Sequence, residues 1–181
     1  MPQIFFIADT HFGHEAIIAY EGRPFAGAAA MDAHLIENWN RAVAPDDLVF
    51  MLGDFALAPA PRVRELTGLL AGRKHLVMGN HDRRHSPDWW REAGFDWVSP
   101  YPILVEDTLW LSHEPLYVNA NMPYANIFGH VHGNPAYRDA SAHSLCVSCE
   151  RVAYTPITLD EARARMREAD SRSPQSSPAV G

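Results

Sequence analysis

Five short segments of this sequence carry side chains able to ligate a metal, and each follows an apolar run. Asp9-Thr10-His11 stands after the run 4–8, Gly53-Asp54 after 47–52, and Gly79-Asn80-His81-Asp82 after 75–78. Ser112-His113 follows Leu109-Trp110-Leu111, and Gly129-His130-Val131-His132 follows Ile127-Phe128. The pairs Asp9/His11 and His130/His132, each separated by one residue, share one side of an extended segment and can serve one ion. In three of the five a glycine directly precedes the ligand-type residue, where a missing side chain lets backbone approach an ion. The inventory of Asp9, Asp54, Asn80 and at least four histidines, with no cysteine, suits Mn, Fe, Zn or Ni. It fits Cu(I) or an iron–sulfur cluster poorly. One ion takes about four to six such donors, so at least seven candidates point to two ions. Two metals roughly 3.5–4 Å apart that share a carboxylate form the usual clamp for phosphoester hydrolysis.

Donors delivered this way need strands that end together. The run 4–8 is continuously apolar and reads as a buried strand, with further strands at 47–52, after the Pro45-Asp46 turn, and at 75–78. Met31, Leu35, Ile36, Trp39 and Val43 mark one face of a helix. A second helix is expected over 61–71, with proline in its first turn and Gly72 just past its end. Ser86-Pro87 opens a short helix carrying Trp89 and Trp90, closed by Gly94. Strands then dominate, at 95–98, 103–105, 108–111, 127–128 and 144–147. Thr158-Leu159-Asp160-Glu161 fits a capping box opening a last helix that ends near Ala169. The domain is thus expected to span 1–169, with 170–181 a disordered tail. A βαβ-like first half and a strand-rich second half imply an α/β fold, helices packed outside one or two mixed sheets. Useful residues then lie just past the carboxyl ends of parallel strands, where the five segments fall.

Composition agrees with one globular domain: 181 residues, 47% apolar and 20% charged. The net charge of −7 argues against a general binder of nucleic acid or anionic membrane. No run approaches the ~20 apolar residues of a spanning helix. The run 4–8 is too short for a signal-peptide core and lacks preceding basic residues, so the cytoplasm is the expected location. Cys146 and Cys149 sit three apart on an apparent strand, pointing to opposite faces, and are expected to stay reduced.

In this order, the five segments resemble the calcineurin-like metallophosphoesterase superfamily, over residues 4 to at least 132 with all motifs intact. Residues 9–14 followed by Arg23-Pro24-Phe25 are similar to a small subgroup of bacterial and phage phosphoesterases. The resemblance implies a four-layer α/β/β/α sandwich of two mixed β-sheets flanked by helices. It implies two divalent ions, Mn before Fe, Zn, Ni or Mg. Asp9, His11, Asp54 and His132 would hold one; Asp54, Asn80, His113 and His130 would hold the other, with Asp54 as the bridge. The implied reaction is hydrolysis of a small phosphomono- or phosphodiester by a hydroxide activated between two metals.

His81, left over from the ligand set, is expected to act as general acid. Asp82 either orients the His81 ring or caps a helix. Arg23 reads as a bidentate phosphate clamp, and His14 as a contact to substrate or to a carboxylate. Asn126 reads as orienting a ligand. Arg83, Arg84 and His85 read as a solvated face, and Trp89 and Trp90 as packing residues. His34, His75 and His143 receive no chemical role. Two other readings stay open: a non-catalytic binding scaffold on the same fold, and a single-strand nuclease, which needs a basic groove. Stable nucleic-acid binding and membrane association are not expected, and oligomeric state is not legible.

Overall fold

The computed structural model describes residues 2–172. The N-terminal apolar run forms β1 (Ile4–Ile7), buried along nearly its whole length. After a short α1 (Glu15–Tyr20), the helical spacing of Met31, Leu35 and Trp39 turns them to one buried face of α2 (Ala28–Ala42). β2 (Leu48–Met51), α3 (Ala60–Leu69), β3 (Arg73–Val77), α4 (Pro87–Glu92) and β4 (Trp97–Ser99) follow. The hydroxyl of Ser86 accepts the Trp89 amide and so caps α4. β1 to β4 pair in parallel.

The second sheet contains β5 (Ile103–Val105), β6 (Leu109–Leu111), β7 (Ala125–Phe128), β8 (Ala140–Ser141) and β9 (Ser144–Cys146). Its order is β5-β6-β7-β9-β8, with antiparallel outer pairs and parallel inner ones. β10 (Ile157–Thr158) returns to lie antiparallel to β1, so the first sheet reads β10-β1-β2-β3-β4. α5 (Leu159–Arg172) covers β8 and β9 and reaches back to β10 and β1. The architecture is the expected α/β/β/α sandwich of two mixed sheets. One core runs through it, joining Phe6, Met51 and Leu76 to Leu111, Ile127 and Leu145.

The sheets meet where β1 and β9 run out. The Ala8 amide donates to the Val147 carbonyl at 2.9 Å and the Cys149 amide to the Ala8 carbonyl at 3.0 Å. This parallel bridge carries the carboxyl ends of β1, β2, β3, β6, β7 and β9 to one rim.

Local differences from expectation have local causes. α1, β8 and β10, of 6, 2 and 2 residues, are too short to show a period. α3 stops at Leu69 rather than Ala71 because Leu70 is already extended (φ −87, ψ 125). Thr158 accepts the Glu161 amide at 3.1 Å, as the capping signal requires. The last helix nevertheless continues past Ala169 to Arg172, which pairs with Glu168 one turn back. The expected tail therefore begins later, and 173–181 lie outside the described residues. Cys149 is not on a strand but opens the turn Cys149–Val152; both cysteines are buried and free. No described helix is long and apolar enough to cross a membrane.

Candidate metal centre

At the rim the chain turns sharply just past each strand. Asp9, His11, Asp54, His130 and His132 all adopt left-handed backbone, with φ of 58, 49, 56, 68 and 47°. Each such non-glycine residue costs on the order of 1 kcal/mol or more and persists only where its surroundings hold it. For Asp9 the hold is visible: its amide donates to Gly53 O, and its carbonyl accepts Arg23 Nη2 at 2.7 Å and Cys149 Sγ at 3.2 Å. The glycines before Asp54 and His130 also relieve crowding between loops. A Cβ on Gly53 would stand 2.7 Å from Gly79 Cα, and one on Gly129 would stand 2.6 Å from Asp9 Oδ2. Their missing side chains let neighbouring loops come into contact.

Both central carboxylates are pinned on one side and open on the other. Asp9 Oδ2 accepts the His130 amide at 2.8 Å, while its buried Oδ1 has no hydrogen-bond partner. Asp54 Oδ1 accepts the His81 amide at 2.9 Å. Its Oδ2 faces His113 Nε2 at 3.5 Å, His11 Nε2 at 3.6 Å and His81 Nε2 at 3.9 Å.

The histidines are oriented in the same sense. His113 Nδ1 donates to the Leu52 carbonyl at 2.9 Å, leaving Nε2 directed at Asn80 Oδ1 (3.0 Å) and His130 Nδ1 (3.1 Å). His132 Nδ1 donates to Glu150 Oε1 at 3.1 Å, and its Nε2 lies 4.0 Å from Asp9 Oδ1. His11 Nδ1 is 3.2 Å from His14 Nδ1, while its buried Nε2 is unpartnered. Binding one ring nitrogen to an acceptor while freeing the other is how metal-ligating imidazoles are held.

Electrostatics sharpen the picture. Burial holds the His11 ring down to about 2, so it stays neutral with a lone pair to give. Burial opposes charge on Asp54 and on His113, but their mutual attraction prevails, holding Asp54 at about 2 and pushing His113 up to about 9. A cation bound here would compete with a proton for His113.

Among the described residues, donor atoms within 4.8 Å of one another form three groups: Asp9-His11-His132, Asp9-Asp54-His113 and Glu21-His132-Glu150. The orphaned Asp9 Oδ1 and His11 Nε2 fit a divalent cation, which would supply the missing partner for both. Asp9, His11, Asp54 and His113 are buried, whereas Asn80 and His130 are exposed, so the centre opens to solvent on that side.

Other sequence expectations meet a different fate. Arg23 does not face the centre. Its side chain is fully buried, with Nη2 2.7 Å from Glu150 Oε1 and Nη1 donating to the Thr10 carbonyl at 3.0 Å. It clamps the Asp9 turn from behind, so no donor remains for phosphate. Asp82 neither orients His81 nor caps a helix. Its Oδ2 accepts the amides of Asp54 (2.7 Å) and Gly79 (2.8 Å), and Oδ1 that of Phe55 (3.1 Å), tying two ligand loops together.

His14 does lie at the centre, against His11. Asn126 bonds the Trp110 carbonyl, Ser112 hydroxyl and Leu116 amide, bracing the segment that carries His113. Trp90 packs against Phe55 and Phe95. His34, His75 and His143 contact Asn38, Trp97 and the Tyr124 carbonyl, away from the centre.

Glu150 escaped the sequence reading, although it too follows a strand of the parallel set, β9. Burial raises its carboxyl, but the His132 hydrogen bond and the Arg23 charge outweigh that and hold it at about 2, against an ordinary 4.5. A carboxyl depressed on folding stabilises fully above its unfolded value and loses that contribution as pH falls through the folded one. Glu150→Gln is therefore expected to cost about 2–3 kcal/mol near neutral pH and to flatten the acid limb of stability below about 4.5. Urea unfolding of chelator-treated protein across pH reads both; an unchanged acid limb excludes the Arg23–Glu150–His132 chain as its source.

A two-sheet sandwich with a histidine–carboxylate centre on its rim matches a known class. Residues 2–151 match the calcineurin-like phosphoesterase family, and the chain belongs to that family. It is 34% identical over 167 residues to the uncharacterized protein MJ1445 of Methanocaldococcus jannaschii, covering 88% of this chain and 89% of that one. The Gene 66 protein of Mycobacterium phage D29 is 38% identical over 88 residues, 47% of this chain and 43% of the phage protein. The crystal structure of AQ665, a protein of unknown function from Aquifex aeolicus, aligns with a TM-score of 0.69 and 26% identity, covering 92% of this chain and 100% of that one.

Proposed function

We propose that the protein is a metal-dependent phosphoesterase acting on small phosphomono- or phosphodiesters, with two divalent cations, Mn first among Mn, Fe, Zn, Ni and Mg. The observation that carries this reading is the pair of unpartnered buried atoms, Asp9 Oδ1 and His11 Nε2, aimed into the ring of donors. Asp9, His11, Asp54 and His132 would hold one cation; Asp54, Asn80, His113 and His130 would hold the other, with Asp54 shared. Cations held there supply Lewis acidity toward a phosphoryl oxygen and activate water for attack on phosphorus.

The chain's own residues do the rest. The amides of His81 and His130 lock one oxygen of each carboxylate and so fix where the other points. His81, half-buried with Nε2 turned toward Asp54, delivers a proton to the leaving oxygen as its bond to phosphorus breaks, worth about 10²–10⁴-fold. The exposed Asn80 and His130 leave the centre open to a small or unstructured phosphoester. Two buried free thiols support action in a reducing compartment, the cytoplasm.

Mn²⁺-loaded protein is expected to hold two ions per chain by elemental analysis and to hydrolyse p-nitrophenyl phosphate or its bis ester. A loaded chain that hydrolyses neither overturns the reading.

A further inference from the structure

His81 stands between two environments. Its Nε2 faces the centre, while its Nδ1 accepts a hydrogen bond from Arg84 Nη2 at 3.1 Å. His81, Arg84 and His85 line a cavity of about 290 Å³ together with the segment 56–59 and Trp90. Because His81 borders both the donor ring and this cavity, a leaving group that His81 protonates would have this space beside it. Among the described residues no carboxylate lines it.

The two adjacent arginines differ in their partners. Arg83 pairs with Glu114 at 3.2 Å, but among the described residues Arg84 forms no ion pair, and its hydrogen-bond contact is with His81 Nδ1. His85 is held in place by stacking on Trp89 at 3.8 Å between centroids. In a chain of net charge −7 the cavity edge thus carries an arginine with no anion to satisfy it. Exchanging a neutral acceptor for an anionic one roughly doubles the strength of a guanidinium hydrogen bond and permits a bidentate fork.

We propose that this cavity is the leaving-group subsite and that Arg84 selects phosphoesters whose leaving group bears a second anionic group, a carboxylate or a phosphate. This rests on the phosphoesterase reading and specifies its substrate class. Hydrolysis adds water across the P–O bond: phosphorus keeps the water oxygen, and the departing anion-bearing alcohol takes the proton.

The test compares phenyl phosphate with meta-carboxyphenyl phosphate and meta-(phosphonomethyl)phenyl phosphate on Mn²⁺-loaded full-length protein. Both charged esters are expected to exceed phenyl phosphate by about tenfold or more in kcat/KM, and the better of the two identifies the anion. Arg84→Met should bring the ratio near one and Arg84→Glu should invert it. Because phenyl phosphate is the internal reference, any effect of these exposed substitutions through His81 cancels. Calorimetric binding of the corresponding phosphonates should show the same preference without turnover. Hydrolysis of phenyl phosphate with a ratio of one, or a preference that survives both substitutions, overturns the subsite assignment and leaves the phosphoesterase reading standing. Failure on all three esters while bis(p-nitrophenyl) phosphate is hydrolysed overturns the subsite assignment alone, and failure on that diester as well overturns the phosphoesterase reading itself.

Discussion

Asp54→Asn is expected to reduce phosphoester turnover by on the order of 10³-fold or more while leaving the fold intact. What decides the outcome is which atom goes where. Asp54 Oδ1 must accept the His81 amide, so an asparagine in this place keeps its oxygen there and turns its NH₂ into the Oδ2 position. That group would then sit 3.5 Å from His113 Nε2 and 3.6 Å from His11 Nε2, a donor where two cations would share an anion. An amide nitrogen has no lone pair to offer a metal. Elemental analysis should therefore show metal content falling below two ions per chain alongside the lost activity. A variant that keeps both ions and its turnover would remove Asp54 from the bridging position.

Arg23→Met is the second large effect, and it separates two opposed roles. As a phosphate clamp, Arg23 would influence KM and leave stability alone. Its surroundings give it a structural role instead. The guanidinium is sealed from solvent, faces the nearly buried Glu150, and holds the carbonyls of Asp9 and Thr10. Removing one member of such a pair strands the other charge and costs about 3–5 kcal/mol. In a domain of this size that lowers Tm by roughly 10 °C. The left-handed turn at Asp9 loses its main donor at the same time, so metal affinity should fall with stability. A variant of unchanged Tm with only a raised KM would restore the clamp.

The gathering of these donors was legible because each lies immediately after a run whose character is local. Asp9, Asp54, Asn80, His113 and His130 can be found by reading a few residues at a time, and parallel strands then bring them to one rim. Arg23 and Glu150 could not be read that way. They are 127 positions apart, and nothing in either neighbourhood names the other. An arginine near a metal motif reads as a substrate contact until its burial is seen. Asp82 misled for a related reason: proximity to His81 in sequence suggested contact, while its carboxylate turns inward to three backbone amides. The role of the glycines in letting loops pack together could not be read, because crowding between loops is set by tertiary packing. The short elements β8 and β10 left no period to detect.

The junction at Ala8 and Ser148 has a mechanical consequence. Asp9 and Asp54 hang from one sheet, His113, His130 and His132 from the other, and a cation held by both sets would act as a rivet across the junction. Pulling the two halves apart then requires releasing the ion, so its binding free energy adds to the work of opening the sandwich. At a free metal concentration about 1,000 times Kd that addition is about 4 kcal/mol. Cellular metal supply would thereby set how long the chain survives as well as whether it works, and a starved cell would lose the protein along with its activity.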